Sequence, residues 1–450
     1  MRSTSEKPRA ALTHSILLTL VVLLSACAGG MPQQAAVTDP MRPLAEEYVH
    51  LGLLMQNHDK LEYMYSGLQE WRTAAQGNQV PLPRIQADLS SLHDRIAALP
   101  VPADTMELQR RKVLLGRISA GIVRADILQG KLPASFDEET RLLFGVEVPH
   151  YDEAHFRELA AELDALIPGE GELPDRLQQF RDQFVIPVDK VEPAIRAALK
   201  ECRQRTLAHL TLPENESVSL NITTGKHWVG FAEFKGNSQT TIHINKSVPI
   251  HVERVLQLGC HEGYPGHHVH ATLMEAELVK KRDWIENTFV PLHGTIATVA
   301  EGAANYGVDL ACRRIIQKAF EKSVILPLAG LNGDQLDLYY RYFDLLDELN
   351  YARNEVARHY LYGGMPKEEA IQWLMEFGLE SRGTASQRLD FIDALRTYVI
   401  NYNYGKSVVR GFVESEGGAD TDAKWAAFEE VLSTPITAQD MLRRTANNHQ

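Results

Sequence analysis

Cysteine is scarce in this chain. Its 450 residues include four cysteines, which are Cys27, Cys202, Cys260 and Cys312. Cys27 follows an apolar N-terminal run, and the other three allow one disulfide at most. The fold therefore cannot depend on a framework of disulfides. Cys260 is adjacent to His261, but we interpret it as a small buried residue rather than a metal ligand.

Positive charge is also in short supply. Lysine and arginine together number 46, against 59 aspartate and glutamate residues, and the formal net charge is −13. This balance argues against nucleic acid and against an anionic membrane surface as partners. It suits neutral or basic ligands, although acidic residues spread over the surface explain it more simply. The sequence also contains no repeat of fixed period and no low-complexity tract.

Hydrophobic runs long enough to span a membrane are absent as well. The apolar run "ILLTLVVLL", Ile16 to Leu24, follows a basic start and is too short to span as a mature helix. It is followed by "SAC", and the resulting "LSAC" resembles a bacterial lipobox with Cys27 as the lipidated residue. We therefore predict a lipoprotein signal peptide over residues 1–26, and a lipidated cysteine with a polar tether over 27–40. The alternative is an ordinary secretory signal in which Cys27 is incidental.

The resemblance to a lipobox also implies a location. A lipid on Cys27 would hold the protein at a membrane without a transmembrane helix. Ala28 follows the cysteine, and in lipoproteins of a Gram-negative host a residue other than aspartate there directs the protein to the outer membrane. We therefore expect a protein of the cell envelope, anchored to the outer membrane and facing the periplasm.

Helical periodicity dominates the remainder of the chain. "PRIQADLSSLHDRIAALP" and "ELQRRKVLLGRISAGIVRADILQG" carry apolar residues at three- and four-residue intervals. "HWVGFAEFKGNSQTTIHINKSV" instead alternates aromatic and β-branched residues around a "KGNS" turn, which is the pattern of a hairpin. We predict a mainly α fold with a small β element, divided into a helical N-terminal region (41–184) and a second domain (185–450).

The segment "HEGYPGHH", which begins at His261, raises the question of a metal site. In an H-E-x-x-H motif the two histidines are four residues apart on one face of a helix. Here that position is Pro265. On a straight helix His267 would lie about 240° around the axis from His261, and His268 about 10.5 Å further along it. On such a helix neither histidine could bind the same metal ion as His261.

Pro265 and Gly266 change this expectation. Pro265 has no N–H to donate to the carbonyl of His261, and its ring clashes with that carbonyl. The helix must bulge or break there, and Gly266 tolerates the backbone angles that result. Such a distortion can bring the imidazole of the next turn close to that of His261. Three histidines and a glutamate within eight residues therefore indicate a metal site.

The same segment resembles the His-Glu-x-x-Pro-Gly-His-His signature of the bacterial domain-of-unknown-function 885 family, placed among zincin-like metallopeptidases of the gluzincin type. The resemblance extends from about residue 185 to residue 406. It implies a zincin-like fold and one zinc ion bound by His261 and His267, with Glu262 as the general base. His268 is the alternative second ligand. His270 has no counterpart in the signature, and we interpret it as a surface residue or a neighbour of the ligands.

The resemblance also implies a carboxylate ligand further along the chain. Glu301 is the only acid among small apolar residues in "GTIATVAEGAANYGV". A lone carboxylate on such a closely packing face is costly unless a metal or a partner meets it. "EGAANY" resembles the family's Glu-Gly-Trp-Ala-Leu-Tyr element, with Ala303 and Asn305 in place of Trp and Leu. Glu286 is the alternative, and its charged neighbours in "KKRDWIENTF" predict a solvated position.

Two more residues match the family pattern. Tyr402, in "NYNYGKS", matches a Ser-Tyr-Lys-Ile-Gly element and is expected to stabilise the oxyanion of the reaction. Arg353 matches a family arginine, which would hold a substrate carboxylate or stabilise the oxyanion. A salt bridge from Arg353 to Glu348 or Glu355 is the alternative.

The chain departs from the family pattern close to both residues. The family's Asp and His after the arginine are replaced by Ala357 and Leu361, and its Pro-Gly-Gln before the tyrosine by Arg396, Thr397 and Tyr398. These departures affect the expected substrate pocket more than the expected metal site.

These observations predict a zinc-dependent hydrolase, a metallopeptidase that cleaves peptides outside the cytoplasm by means of a metal-activated water and Glu262. Manganese, nickel or iron are alternatives to zinc, because imidazole and carboxylate ligands suit several metals. A non-catalytic metal- or substrate-binding lipoprotein of the envelope would keep the ligands without depending on Glu262. A helical scaffold of the envelope would bind no metal.

Overall fold

The computed structural model describes residues 39–61, 63–226 and 228–448. The predicted signal peptide, the cysteine predicted to be lipidated (Cys27) and nearly all of the predicted tether lie outside these residues. Residues 40–450 belong to one compact unit. The described part is mainly helical with a small amount of sheet, as the sequence predicts. Within it, no helix has both the length and the apolar character needed to cross a membrane.

The helices before the motif are, in chain order, α1 (Arg42–Met55), α2 (Gln69–Gln76), α3 (Leu82–Ala97), α4 (Thr105–Leu128), α5 (Phe136–Phe144), α6 (Glu153–Leu166), α7 (Leu173–Asp182), α8 (Val191–Thr206) and α9 (Val252–Leu258). Those that follow are α10 (His267–Met274), α11 (Ile296–Ala311), α12 (Arg314–Phe320), α13 (Leu326–Ala329), α14 (Leu336–Leu349), α15 (Ala352–Tyr362), α16 (Lys367–Phe377), α17 (Arg382–Leu395), α18 (Ile400–Gly417), α19 (Thr421–Ser433) and α20 (Ala438–Asn448). The strands are β1 (Tyr63–Tyr65), β2 (Ser217–Thr223), β3 (Gly230–Gly236), β4 (Gln239–Asn245) and β5 (Phe289–Pro291).

The two helices with the clearest periodicity are confirmed as α3 and α4. Helix α3 buries Ile85, Leu89, Leu92 and Ile96, which recur every three or four residues on one face. Helix α4 begins where the side chain of Asp104 accepts a hydrogen bond from the backbone N–H of Glu107.

The predicted hairpin is also confirmed, as antiparallel strands β3 and β4. Its turn places Asn237 and Ser238 in the left-handed region, with φ of 52° and 60°. Their backbone N–H groups donate to the carboxylate of Glu275, over 2.6 and 2.9 Å, which fixes the turn against the segment that follows α10.

This sheet has a third strand that the sequence pattern does not indicate. Strand β2 pairs in parallel with β4, so the order is β2-β4-β3. The strand immediately before the motif is therefore the central one, and β3 provides the sheet edge on the side of the motif. A separate two-stranded pair, β1 with β5, joins the N-terminal region to the chain after the motif.

One hydrophobic core extends through both of the regions that the sequence pattern separates at residue 185. It includes Phe144 and Phe156 from the first region and Ile195, Val299 and Phe412 from the second. A smaller core packs α1, α3 and α4 against Phe289 of β5. The two regions therefore share buried side chains, and the boundary at residue 185 stays a prediction.

Helices α11 and α18 approach each other closely. A Cβ added at Gly302 would lie 2.3 Å from the carbonyl oxygen of Gly405, and a Cβ at Gly405 would lie 2.8 Å from the carbonyl oxygen of Thr298. The small residues of α11 thus allow backbone to contact backbone. This contact holds Glu301, the residue before Gly302, deep in the protein.

We expect Gly302→Ala to reduce the free energy of unfolding by about 1–3 kcal/mol, because the new methyl group can be accommodated only by moving one helix backbone. Thermal and denaturant unfolding would measure the change. Gly411→Ala is the matched control, since a Cβ there meets no atom closer than 3.7 Å. That change should be neutral or stabilising. Equal stability of the two variants would contradict the close packing described above.

Candidate metal centre

The helix that carries the motif is interrupted where the sequence predicts. Helix α9 ends at Leu258, and residues Gly259–Gly263 form a wider π-helical turn. The N–H of Gly266 then donates to the carbonyl of Cys260 over 2.9 Å, and α10 begins at His267. A Cβ on Gly266 would lie 1.9 Å from the carbonyl oxygen of His261. Only glycine allows this backbone approach.

The interruption brings two imidazoles and a carboxylate together. The rings of His261 and His267 are nearly perpendicular, with centroids 4.7 Å apart. Their Nε2 atoms lie 3.5 Å and 3.7 Å, respectively, from Oε2 of Glu301 on α11. One ligand atom each of His261, Glu262 and His267 lies within 4.8 Å of the others. The three predicted ligands and the predicted base therefore share one site.

The geometry fits a metal ion. With bonds of about 2.0 Å, neighbouring ligand atoms of a tetrahedral zinc site are about 3.3 Å apart. The Nε2–Oε2 distances of 3.5 and 3.7 Å are close to this spacing. Moreover, Oε2 of Glu301 is buried and has no hydrogen-bond partner among the described residues. Burying a carboxylate oxygen of this kind is costly unless a cation or a donor pairs with it, and a metal ion between the imidazoles would do so.

Hydrogen bonds orient two of these side chains. Oδ1 of Asn305 lies 3.0 Å from Nδ1 of His261, so Nδ1 carries the proton and donates, and Nε2 is left free to bind metal. The hydroxyl of Tyr398 donates to Oε1 of Glu301 over 2.9 Å. In the sequence, Asn305 and Tyr398 stand out only as departures from a family pattern. A polar residue one turn after Glu301 was the available signal for Asn305.

The charges in the site favour an ionised carboxylate. Burial alone would raise the pKa of Glu301, but the charge of His267 and the closeness of both imidazoles outweigh this effect and hold the pKa of Glu301 well below its ordinary value. Burial likewise lowers the pKa of His267, and the charge of Glu301 more than reverses this, so that it is raised.

The alternative ligands lie elsewhere. His268 is fully buried, with Nδ1 2.8 Å from Oγ1 of Thr240 and Nε2 3.1 Å from Oε2 of Glu216. Both of its nitrogens are thus already hydrogen-bonded. The sequence predicts a solvated Glu286, but this residue is 2% exposed and accepts two hydrogen bonds from Arg110, over 2.6 and 3.2 Å. The charged neighbours of Glu286 in the sequence gave no indication of this buried ion pair.

His270 is more buried than the sequence suggests. It is 7% exposed, and its Nε2 has no hydrogen-bond partner among the described residues. Burial, followed by the positive charges of His267 and Arg117, lowers the pKa of His270 to about 3. Its side chain lines the cleft of the site.

The predicted catalytic residues Tyr402 and Arg353 line the same cleft as the metal centre. Tyr402 lies in the first turn of α18, is 40% exposed, and its hydroxyl has no hydrogen-bond partner among the described residues. Surrounding protein and the carboxylates of Glu301 and Glu262 raise its pKa well above the ordinary value. Arg353 donates through Nε and Nη2 to Oε1 of Glu380, over 2.9 and 2.7 Å. Its carboxylate partner is therefore neither of the two glutamates that the sequence suggested.

Cys260 is buried, as the sequence indicates, and it also takes part in the single disulfide that the sequence allows. Its partner is Cys202 of α8. The bond attaches the residue before His261 to α8. The thiol of Cys312 is free and lies 3.9 Å from the sulfur of Cys260.

The metal centre opens into a cleft of about 1640 Å³. This exceeds the 300–1,000 Å³ or so of sites for small drug-like ligands. Strand β3 forms one wall, and a Cβ on its Gly230 would lie 2.8 Å from Oε1 of Glu262. The sheet edge thus lies directly against the predicted base.

No protein-family model and no curated protein matches the sequence. Among solved structures, the chain is similar to a proposed lipoprotein from Colwellia psychrerythraea, with 14% identity, 90% of this chain and 75% of that chain covered, and a TM-score of 0.47. It is also similar to a proposed lipoprotein of unknown function from Shewanella oneidensis, with 13% identity, 92% of this chain and 80% of that chain covered, and a TM-score of 0.42. A third similar structure is that of a protein named BsuCP, with 10% identity, 89% of this chain and 89% of that chain covered, and a TM-score of 0.42. These similarities assign neither a family nor an activity.

Separate substitutions of His267 and His268 test which of the two histidines binds the metal. We expect His267→Ala to lower zinc affinity by more than about 100-fold, since it removes a ligand rather than an orienting neighbour. We expect His268→Gln to retain zinc but to unfold at a lower temperature, because it disturbs the buried contact with Glu216. Metal analysis and calorimetric titration with zinc would distinguish them. Loss of zinc from the His268 variant alone would contradict the arrangement described.

Proposed function

We propose that this chain is a metal-dependent peptidase with its active site at His261, His267 and Glu301. The unpartnered, buried Oε2 of Glu301 facing two imidazole nitrogens is the observation that carries the proposal. A zinc ion held by these residues would supply Lewis acidity toward a carbonyl group and toward water.

Glu262 is the proposed general base. It follows the first ligand, is 6% exposed, and its carboxylate makes no hydrogen bond to a described residue. Its carboxylate is thus available to accept a proton from the attacking water and to deliver it to the leaving amine. Gly230 supports this role, since any side chain there would displace the carboxylate.

Tyr402 is the proposed donor to the oxyanion. Its hydroxyl is uncommitted and its raised pKa keeps it protonated at neutral pH, so it can donate a hydrogen bond. The backbone of Tyr402 is fixed by Asn305, whose Nδ2 donates to the carbonyl of Tyr402 over 3.0 Å. Asn305 therefore contacts both His261 and the residue proposed to stabilise the oxyanion.

A peptide is the substrate class that the cleft suits. The edge of β3 offers unpaired backbone groups to an extended chain, and it passes directly beside Glu262. The cleft has room for several residues of such a chain. We place this activity in the cell envelope, with the lipid on Cys27 as the anchor.

Glu262→Gln tests the catalytic proposal. We expect this variant to bind zinc as the wild type does and to lose about 10²–10⁴-fold in kcat, because the base is removed while the ligands remain. Cleavage of a mixed peptide library by residues 28–450, followed by mass spectrometry, would measure the loss. Glu233→Gln is the matched control, since Glu233 lines the same cleft but pairs with Lys235 and His243.

Two outcomes would contradict the proposal. If the zinc-loaded wild type cleaves no peptide, the site binds metal for another purpose. If Glu262→Gln cleaves as fast as the wild type, another group acts as the base.

A further inference from the structure

Three arginines form a cluster in the wall of the cleft. They are Arg254 on α9, Arg353 on α15 and Arg388 on α17, whose charges act on one another, and we call them the arginine cluster. They come from three helices far apart in the sequence, and all line the cleft that holds the metal centre.

One carboxylate serves the cluster, that of Glu380. Arg353 directs both Nε and Nη2 to its Oε1, and Nε of Arg388 is 3.5 Å from the same oxygen. Arg254 instead donates to the neutral side chain of Gln257, over 2.6 Å, and forms no ion pair with a described carboxylate. Glu380 is thus the one described carboxylate within ion-pairing distance of the three guanidinium groups. Glu262 and Glu253 act on Arg254 only at longer range, and Glu253 is paired with Arg181.

The hydrogen bonds of the cluster are also incomplete. Nε of Arg388 is buried without a hydrogen-bond partner among the described residues. Arg388 is nevertheless 42% exposed as a side chain, so its remaining N–H groups face the cleft. Unused donors on a guanidinium that is partly exposed in a cleft are suited to a ligand.

Like charges in the cluster repel one another. The charge of Arg353, followed by burial, lowers the pKa of Arg388 to about 10. Burial also lowers the pKa of Arg254. The chain as a whole carries a formal charge of −13, so a local concentration of positive charge is not a property of its general surface. Such arrangements are common at functional sites, and an anion bound between the guanidinium groups would relieve the repulsion.

The cluster lies close to the reacting groups. Arg254 is on the helical segment that leads into His261, and its charge interacts with that of Glu262. Arg254 and Arg388 both interact electrostatically with the phenol of Tyr402. An anionic group bound by the cluster would therefore be part of the same substrate molecule as the bond that is cleaved.

We infer that the arginine cluster binds the free C-terminal carboxylate of the peptide substrate, so that the enzyme removes residues from the C-terminus. This inference depends on the proposed peptidase function. Planar guanidinium groups match a carboxylate with two parallel hydrogen bonds, which a lysine could not provide. A peptide necessarily carries that group at one end only, so its binding fixes which bond reaches Glu262.

Paired peptides test the inference. We would compare a peptide bearing a free C-terminal carboxylate with the same peptide as a carboxamide, and include an internal glutamate in both. The wild type should cleave the acid at least about tenfold more efficiently, as expected for a charge-assisted hydrogen bond. Cleavage should occur at a fixed distance from the C-terminus.

Arg388→Gln should reduce this preference to within a few-fold, chiefly by raising KM for the acid. It leaves Glu380 paired with Arg353, so we expect the protein to fold and to bind zinc. Arg314→Gln is the matched control, because Arg314 also lines the cleft but is balanced by Asp344 at 2.6 Å. This control should keep the wild-type preference.

The outcomes separate the two proposals. Equal cleavage of acid and carboxamide, or cleavage fixed by the internal glutamate, would overturn the inference and leave the peptidase function standing. If neither peptide is cleaved, calorimetry on zinc-loaded Glu262→Gln with an N-acetylated dipeptide acid and its carboxamide decides. Binding of the acid alone would support the cluster as a carboxylate site despite failure of the peptidase proposal. Binding of both or of neither would overturn it.

Discussion

The candidate metal centre depends on two groups that the chain lacks at consecutive positions, the amide hydrogen of Pro265 and the Cβ of Gly266. Without the first, the helix of the motif cannot continue. Because Gly266 has no Cβ, its backbone can approach the carbonyl of His261 closely, and the next helix begins at the following residue. His267 then faces His261 although six residues separate them. The irregular spacing of the histidines is thus a requirement of the site.

The second constraint is the burial of Glu301. Its carboxylate is brought among apolar residues by the close contact of α11 with α18, and one of its oxygens has no hydrogen-bond donor among the described residues. Among the described residues, the imidazoles of His261 and His267 and the hydroxyl of Tyr398 offset this charge. A carboxylate in such surroundings weakens the fold when its partner is missing. The packing that stabilises the two helices is therefore also what prepares the site for a cation.

Local features of the sequence predict more of this structure than contacts between distant segments do. The helices α3 and α4, the hairpin and the break at Pro265 follow from periodicity, turn residues and a missing N–H, all within a few residues. The pairing of Glu286 with Arg110 joins positions 176 residues apart, whereas the charged neighbours of Glu286 indicate a solvated side chain. Asn305 is unusual in the sequence, but its contact with His261 depends on how α11 packs against the motif. The same holds for the contact of Tyr398 with Glu301, which depends on the packing of the chain before α18.

The disulfide between Cys202 and Cys260 has a consequence for metal selectivity. Together with Cys312, these residues bring three sulfur atoms within 4.8 Å of one another, and one of the three, Cys260, directly precedes His261. As thiols they would form a soft, sulfur-rich set that competes for zinc and copper(I) ions. Oxidation converts two of them into a bond with little affinity for metal. Metal counted on protein prepared under reducing conditions would then report on three thiols as well as on His261, His267 and Glu301, and it should not be equated with metal bound by the oxidised form.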